Sequence, residues 1–114
     1  MNKSYSMDKV FANIEKRLQA HPEPIEGMEA VYQFDLAGEE LETYQLHLSE
    51  GKAWIGQEES SSVDCCIKMK QKDFMDMLLG RLNGTSAFMT GRLKVQGSMG
   101  LAMKLQNVLG HYEA

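Results

Sequence analysis

Apolar and polar residues alternate at every second position in several segments of this chain, and that pattern constrains the fold more than any other feature. The alternation runs through residues 28–36, 43–48, 63–70 and 92–96. Successive side chains of a strand point to opposite faces of a sheet, so each segment predicts a strand with one buried and one solvated face. A short strand at 53–55 is also predicted, after the turn at 49–52.

Helical spacing of apolar residues predicts four helices in the remaining segments. The first helix ends before His21–Pro24, because each of the two prolines disfavours helix in the residue before it. Its apolar stripe consists of Met7, Val10, Phe11, Ile14 and Leu18. The other three are predicted at 73–79, at 85–89 with Asn83 as the N-cap, and after Ser98 with a stripe of Leu101, Leu105, Val108 and Leu109.

The predicted elements follow the order α-β-β-β-β-α-α-β-α, which is typical of an α+β fold. The short turns between the first three strands predict an antiparallel meander. Since the strands alternate, the helices are expected to pack together on the apolar face of the sheet. A chain of 114 residues is long enough to bury one core, so residues 1–114 are expected to form a single domain.

Charge and hydropathy exclude several classes of partner. The net charge is -4 and the Lys and Arg residues are spread along the chain, which argues against a nucleic-acid-binding face. There is no polybasic segment for anionic membranes, and no apolar run approaches the roughly 18 residues that span a bilayer. We therefore expect neither nucleic-acid binding nor stable membrane insertion.

The two cysteines help to predict the cellular compartment of this chain. Cys65 and Cys66 are adjacent on a predicted strand, where their side chains point to opposite faces and cannot easily form a disulfide or share a metal. The residues before Lys9 lack the apolar core of a signal peptide. Both observations favour a reducing, cytoplasmic location.

Residues that carry catalysis are sparse. His21, His47 and His111 are far apart and lack a metal-ligand spacing partner. Cys66 could act as a nucleophile only with a lowered pKa and a nearby base, and the sequence shows neither. We expect no catalytic residue, no metal and no cofactor, and we keep a thiol-dependent enzyme that uses Cys66 as a weaker alternative.

The chain has nine methionines, of which Met75, Met77, Met89, Met99 and Met103 fall in the last three predicted helices. Methionine is unbranched and polarizable, so it suits a surface that adapts to different apolar ligands, but it also fills gaps in ordinary cores. On residue chemistry alone, core filling is the favoured interpretation.

Two long segments resemble a known family. Residues 87–109, AFMTGRLKVQGSMGLAMKLQNVL, resemble the closing motif of the sterol carrier protein type two domain: a Phe-Met pair, a glycine, an alternating lysine-rich strand, then glycine, a polar residue, methionine and an apolar helix. Residues 62–84, SVDCCIKMKQKDFMDMLLGRLNG, resemble the segment before it, and the similarity extends over 27–110. The chain looks like a stand-alone, bacterial-type member.

The resemblance implies a mixed five-stranded sheet with helices over one face. It also implies an apolar tunnel between sheet and helices that binds fatty acids, fatty acyl-CoA or similar lipids without catalysis. Burying a sixteen-carbon chain contributes about 12 kcal/mol gross. Association costs about 4 to 15 kcal/mol, so net affinity near micromolar is reasonable.

The residues expected to line this tunnel are those that match the family's motif. They are Phe74, Met77, Leu78, Leu82, Phe88, Met89, Leu93, Met99, Met103 and Leu105, with Gln106 as a polar group near the mouth. Trp54 is either a lid over the sheet edge or plain core. A structural or protein-interaction domain with a closed cavity is the alternative function, and exposed apolar residues at the mouth could instead form a homodimer contact.

Overall fold

A computed structural model describes residues 7–56 and 62–109, with the side chains of Gln106 and Asn107 outside that description. The described elements follow the predicted order α-β-β-β-β-α-α-β-α, with one added 3₁₀ turn. They are α1 (Met7–Ala20), the 3₁₀ turn (Glu23–Ile25), β1 (Ala30–Ala37), β2 (Leu41–Ser49), β3 (Lys52–Gly56), β4 (Cys65–Lys70), α2 (Gln71–Leu78), α3 (Gly84–Met89), β5 (Lys94–Gly97) and α4 (Met99–Leu109).

The strands form one mixed sheet in the spatial order β3-β2-β1-β4-β5. β1, β2 and β3 pair antiparallel, which confirms the predicted meander. β4 then lies parallel to β1, with Ile67 opposite Phe34, and β5 pairs antiparallel with β4. β5 is therefore an edge strand of the sheet.

The apolar sides of the strands form an inner face that the helices cover. Tyr32, Phe34 and Leu36 alternate along β1 and are all fully buried. α1 lies over one part of this face, and its predicted stripe from Met7 to Leu18 is buried as expected. The α+β architecture with helices over one face is confirmed.

Aromatic rings fill the core beneath α1 and α2. Phe11 stacks on Tyr44 with ring centroids 4.3 Å apart and on Phe74 at 5.3 Å. Phe34 contacts Phe11 at 5.3 Å and Phe74 at 5.6 Å. We call Phe11, Phe34, Tyr44 and Phe74 the aromatic cluster. Because stiff rings pack tightly here, this part of the inner face is solid.

α4 is anchored to the inner face by a hydrogen bond. The Tyr32 hydroxyl donates to the Leu101 carbonyl oxygen at 2.6 Å. Burial, followed by the neighbouring Cys65 thiol, raises the pKa of Tyr32, so its hydroxyl keeps the proton that it donates. The bond fixes the distance between α4 and the centre of the sheet.

The outer face differs from the expected fully solvated surface. Gln45 is almost completely buried there, and its Nε2 donates to Gln33 Oε1 at 3.0 Å. Thr43 Oγ1 donates to Asp35 Oδ1 at 2.9 Å. Side chains on neighbouring strands thus cover one another by hydrogen bonding, which alternation of polarity alone does not reveal.

Trp54 is neither a lid nor part of the core. It is exposed on the outer face, and its ring stacks on His47 with centroids 5.4 Å apart. The two residues face each other across β2 and β3, as the strand register requires.

Some element boundaries differ from the predicted ones. β1 begins at Ala30 rather than Met28, because the 3₁₀ turn continues through a hydrogen bond from Met28 N to Ile25 O (3.1 Å) and Gly27 takes a positive φ of 79°. β4 begins at Cys65 rather than residue 63, and α2 begins at Gln71 rather than residue 73.

Candidate functional site

A cavity of about 290 Å³ lies between the inner face of β4 and β5 and the helices α2, α3 and α4. Its lining residues are nearly all apolar, and among them Thr85 alone carries a hydroxyl group. They are Ile67, Met77, Gly84, Thr85, Phe88, Leu93, Val95, Met99, Ala102, Met103 and Leu105. The wall can therefore exclude water from an apolar ligand.

The edge strand forms one wall of the cavity. Leu93 and Val95 point into it, and Val95 stands opposite Ile67 in the register of β5 on β4. The strand is reached through a tight turn in which both Arg92 N and Leu93 N donate to the Ala87 carbonyl oxygen, at 2.9 and 3.1 Å. This turn fixes which residues of β5 face inward.

α3 forms a second wall, and its start is fixed by the predicted cap. Asn83 Oδ1 accepts hydrogen bonds from Thr85 N at 2.8 Å and Ser86 N at 3.2 Å. Gly84 and Phe88, four residues apart, then lie on the side of the helix that lines the cavity. Because Gly84 has no side chain, it leaves this part of the space unfilled.

α4 forms the third wall. Met99, Ala102 and Met103 stand at i, i+3 and i+4 and so share one side of the helix. Ser98 Oγ accepts a hydrogen bond from Leu101 N at 3.1 Å and caps the first turn. Two flexible methionines with one alanine between them make this wall both adaptable and thin.

The mouth of the cavity is marked by lining residues that are also exposed. Phe88 is 44% exposed, Met99 46% and Met103 81%, whereas Leu93 and Leu105 are buried. The cavity therefore opens to solvent between α3 and α4. This geometry favours an open cleft over the closed cavity of the alternative hypothesis.

Six of the eleven residues expected from the sequence line this cavity, namely Met77, Phe88, Leu93, Met99, Met103 and Leu105. Phe74 belongs to the aromatic cluster, and Leu78 is buried in the core. Leu82 packs against the core and is half-buried. Met89 is 79% exposed and is not among the residues that line the cavity, and the side chain of Gln106 lies outside the described part of the structure.

Five lining residues were not expected from the sequence: Ile67, Gly84, Thr85, Val95 and Ala102. Val95 could have been predicted, because it stands two residues after Leu93 on a strand and so faces the same side. Ala102 could have been predicted as well, because it stands three residues after Met99 on a helix. Ile67 is the inward residue of β4 opposite Val95. Gly84 carries no hydrophobic signal at all, so only the structure reveals it.

The chemistry of the lining supports binding rather than proton transfer, because none of its side chains titrates near neutral pH. Burial, with the negative charge of Asp35, raises the pKa of the Cys66 thiol to about 11, and burial raises the pKa of Cys65 as well. Cys66 Sγ donates to Asp35 Oδ2 at 3.6 Å. A protonated thiol is a poor nucleophile, which argues against the thiol-enzyme alternative.

The described residues hold no group of three or more His, Cys, Asp and Glu placed to bind a metal ion. His21 directly follows α1, His47 lies on the outer face of β2 opposite Trp54, and His111 is outside the described residues. Across 7–56 and 62–109, no helix has the length and apolar character needed to cross a bilayer.

Comparison with known proteins identifies the family. The profile of the SCP-2 sterol transfer family matches residues 11–110. Hydroxysteroid dehydrogenase-like protein 2 of Xenopus tropicalis is 38% identical over 112 residues, which cover 97% of this chain and 26% of that protein. Sterol carrier protein 2 of Homo sapiens is 36% identical over 108 residues, which cover 91% of this chain and 20% of that protein.

A solved structure shares the fold. The solution structure of sterol carrier protein 2 from Aedes aegypti, determined with the C16 fatty acid palmitate, superposes with a TM-score of 0.73 at 21% identity and covers 97% of this chain and 100% of that one. The two curated relatives are animal proteins, and this chain spans about a quarter of their length or less. They therefore lend no support to the expectation that the chain is a stand-alone, bacterial-type member. Because the family profile matches residues 11–110 of its 114 residues, the chain belongs to the SCP-2 sterol transfer family.

Proposed function

We propose that this chain binds and carries lipids with a long alkyl chain, such as fatty acids or fatty acyl-CoA, without catalysing their conversion. The observation that carries the proposal is the 290 Å³ apolar cavity whose mouth is formed by the exposed side chains of Phe88, Met99 and Met103. The palmitate named for the Aedes aegypti relative supports this ligand class.

The walls fit a ligand of variable length better than a rigid one. Methionine side chains can change rotamer at little cost, so the space between Met77, Met99 and Met103 can adjust to the chain that enters. The volume lies near the lower end of about 300 to 1,000 Å³ that is common for small-molecule sites, which favours a narrow alkyl tail over a bulky ring system. We expect the head group to remain at the solvent-open mouth.

The energetics suit a carrier. Each buried methylene contributes about 0.8 kcal/mol, so adding one carbon to the ligand should improve the affinity about fourfold until the cavity is full. No lining side chain offers a charged partner that would make release slow. Binding of this kind is strong enough to solubilise a lipid and weak enough to release it.

The test is displacement of a fluorescent fatty acid by saturated fatty acids from eight to eighteen carbons, beside mass spectrometry of a solvent extract of natively purified protein. We expect a co-purifying lipid and an affinity that rises with chain length and then levels off. Comparing the affinities of a fatty acid, its methyl ester and its CoA thioester shows how much the head group contributes to binding. The absence of both a co-purified lipid and any displacement would refute the proposal and favour a structural or interaction domain.

We also propose a reducing, cytoplasmic location, supported by two buried cysteines that are both free. Cell fractionation tests it.

Sedimentation at several protein concentrations tests the homodimer expectation, in which the exposed residues at the mouth would be covered by a second copy.

A further inference from the structure

The two edges of the sheet differ, and the β3 edge is already occupied by side chains of α1. Glu15 Oε2 accepts a hydrogen bond from Ile55 N at 3.1 Å, and Gln19 Nε2 donates to the Ala53 carbonyl oxygen at 3.0 Å. Glu15 and Gln19 are four residues apart, so the helix presents both side chains to the same strand. They make the hydrogen bonds that a further strand would make, and α1 therefore blocks strand pairing at this edge.

The β5 edge has backbone groups that point away from the sheet. Ser98 N donates to the Asp64 carbonyl oxygen at 2.9 Å, so these two residues form a hydrogen-bonded pair one step beyond the β4–β5 register. Hydrogen-bonded and non-hydrogen-bonded pairs alternate in an antiparallel ladder, so the backbone of Gln96 is directed towards β4. The N–H and C=O groups of Val95 and the N–H group of Gly97 are therefore directed towards the outer edge.

These outward groups of β5 are accessible to another strand. Across 7–56 and 62–109, no side chain hydrogen-bonds to the backbone of Val95 or Gly97, in contrast to the two bonds at the β3 edge. Lys94, Gln96 and Gly97 are exposed, and Val95 is half-buried because its side chain lines the cavity. An unpaired edge of this kind is the template on which an extended peptide can add to a sheet.

The side chains beside this edge determine which kind of strand fits it. Among the described residues, a groove of about 690 Å³ is lined by five cations and by two carboxylates, Asp35 and Asp73. The cations are Lys68, Lys70, Lys72, Arg92 and Lys94. Leu93 and Val95, which alternate with the last two cations, line the apolar cavity instead. Because side chains opposite each other on paired strands are in contact, an added strand would meet cations on one face and apolar residues on the other.

We propose that the β5 edge binds an extended peptide of a partner protein by strand addition, and that this peptide alternates acidic and apolar residues. Its acidic side chains face Arg92 and Lys94 in the groove, and its apolar side chains lie beside Leu93 and Val95 at the cavity. The backbone hydrogen bonds supply affinity, and the two rows of side chains select the peptide. A second copy of this chain fits less well, because it would bring its own cations to the same edge.

The first test measures binding of a fluorescein-labelled heptapeptide of alternating valine and glutamate to the full chain by fluorescence anisotropy. We expect saturable binding that weakens as salt screens the charges, and much weaker binding of the matching valine–lysine peptide. Lys94→Gln should weaken binding about twofold to fivefold, the range of one cross-strand charge pair. Arg92→Glu/Lys94→Glu should reverse the preference between the two peptides. Its matched control, Lys9→Glu/Lys16→Glu on the exposed side of α1, changes the net charge equally and should leave the preference as it is.

Amide hydrogen exchange tests where the peptide lies. The bound peptide should slow the exchange of the Val95 and Gly97 N–H groups, which point to the outer edge. Exchange at Gln96, whose backbone is already directed towards β4, should change little. The N–H of Ile55, which donates to Glu15 at the opposite edge, should not respond.

Two methylated forms of the peptide test for backbone pairing. N-methylation of the valines blocks one edge of the extended peptide, and N-methylation of the glutamates blocks the other. We expect one form to bind and the other to lose binding, because only one edge of the peptide faces β5. Equal binding of both forms, or binding without slower exchange at Val95, would overturn strand addition and show that the groove attracts glutamate by charge alone. Self-association of the chain that slows exchange at Val95 without peptide would instead assign the edge to a second copy and refute the proposal.

Discussion

Replacing Ala102 with leucine tests directly whether the space above β4 and β5 is empty. Ala102 is half-buried on the cavity side of α4, between the two methionines of the mouth. Leucine is a good helix former, so the substitution leaves the helix intact and adds three carbon atoms to the cavity wall. In an open cavity those carbons occupy space that a ligand would otherwise fill.

The expected effects on affinity and stability have opposite signs. Displacing about three carbons of an alkyl ligand at about 0.8 kcal/mol each costs about 2.4 kcal/mol, which is about a 60-fold increase in Kd. Filling a void with an apolar side chain should meanwhile stabilise the unliganded protein by about 1 kcal/mol, or about 4 °C in Tm. Only a real cavity predicts weaker binding together with higher stability.

The measurements are fatty-acid displacement and thermal unfolding of delipidated protein, with Ala12→Leu on the exposed side of α1 as the matched control. The control should change neither quantity by more than a small amount. If side chains already fill the space, overpacking should destabilise Ala102→Leu by about 1 to 3 kcal/mol. A clear fall in Tm would therefore contradict the cavity argument, whatever happens to binding.

Three further predictions concern the framework of the site. Gly97→Ala should destabilise the protein by more than about 2 kcal/mol in urea unfolding, since Gly97 has a φ of 101° and an added Cβ would lie 2.5 Å from the Asp64 carbonyl oxygen. Gly100→Ala should not, because its added Cβ would meet only Ser98 Oγ, at an ordinary contact distance of 3.7 Å. Tyr32→Phe should cost about 1 kcal/mol through loss of the 2.6 Å hydrogen bond to α4, and no change in unfolding free energy would show that the bond contributes nothing. The pKa of Cys66 is raised from 9.0 to about 11, so its contribution to stability should be present below pH 9 and lost as the pH rises towards 11, where the unfolded thiol ionises first. A wild type that loses no more stability than Cys66→Ala over that pH interval would contradict this sign.

The sheet could be predicted from the sequence because burial of one face leaves a direct trace in alternating polarity. Tyr32, Phe34 and Leu36 had to share a face whatever else the chain did. The burial of Gln45 left no such signal, because it comes from neighbouring side chains, among them Gln33 on β1, which accepts a hydrogen bond from Gln45 Nε2. A polar residue at an outward position looks the same in the sequence whether water or another side chain covers it.

The cavity lining could be predicted only in part, because helical periodicity reports burial and does not distinguish a packed neighbour from an empty space. Phe74 and Met77 stand three residues apart on the same side of α2, and both are buried. One packs in the aromatic cluster and the other lines the cavity. What separates them is which element lies opposite, α1 or α4, and the sequence of α2 does not contain that information.

The division of the inner face explains why one small domain can be stable and still keep an open site. Rigid rings from Phe11, Phe34 and Phe74 interlock under α1 and α2, and that part supplies a closely packed core. Under α3 and α4, Met77, Met99 and Met103 stand among the lining residues, and their side chains can change rotamer without disturbing the rings of the aromatic cluster. A ligand entering this second part therefore meets adaptable walls while the sheet stays fixed.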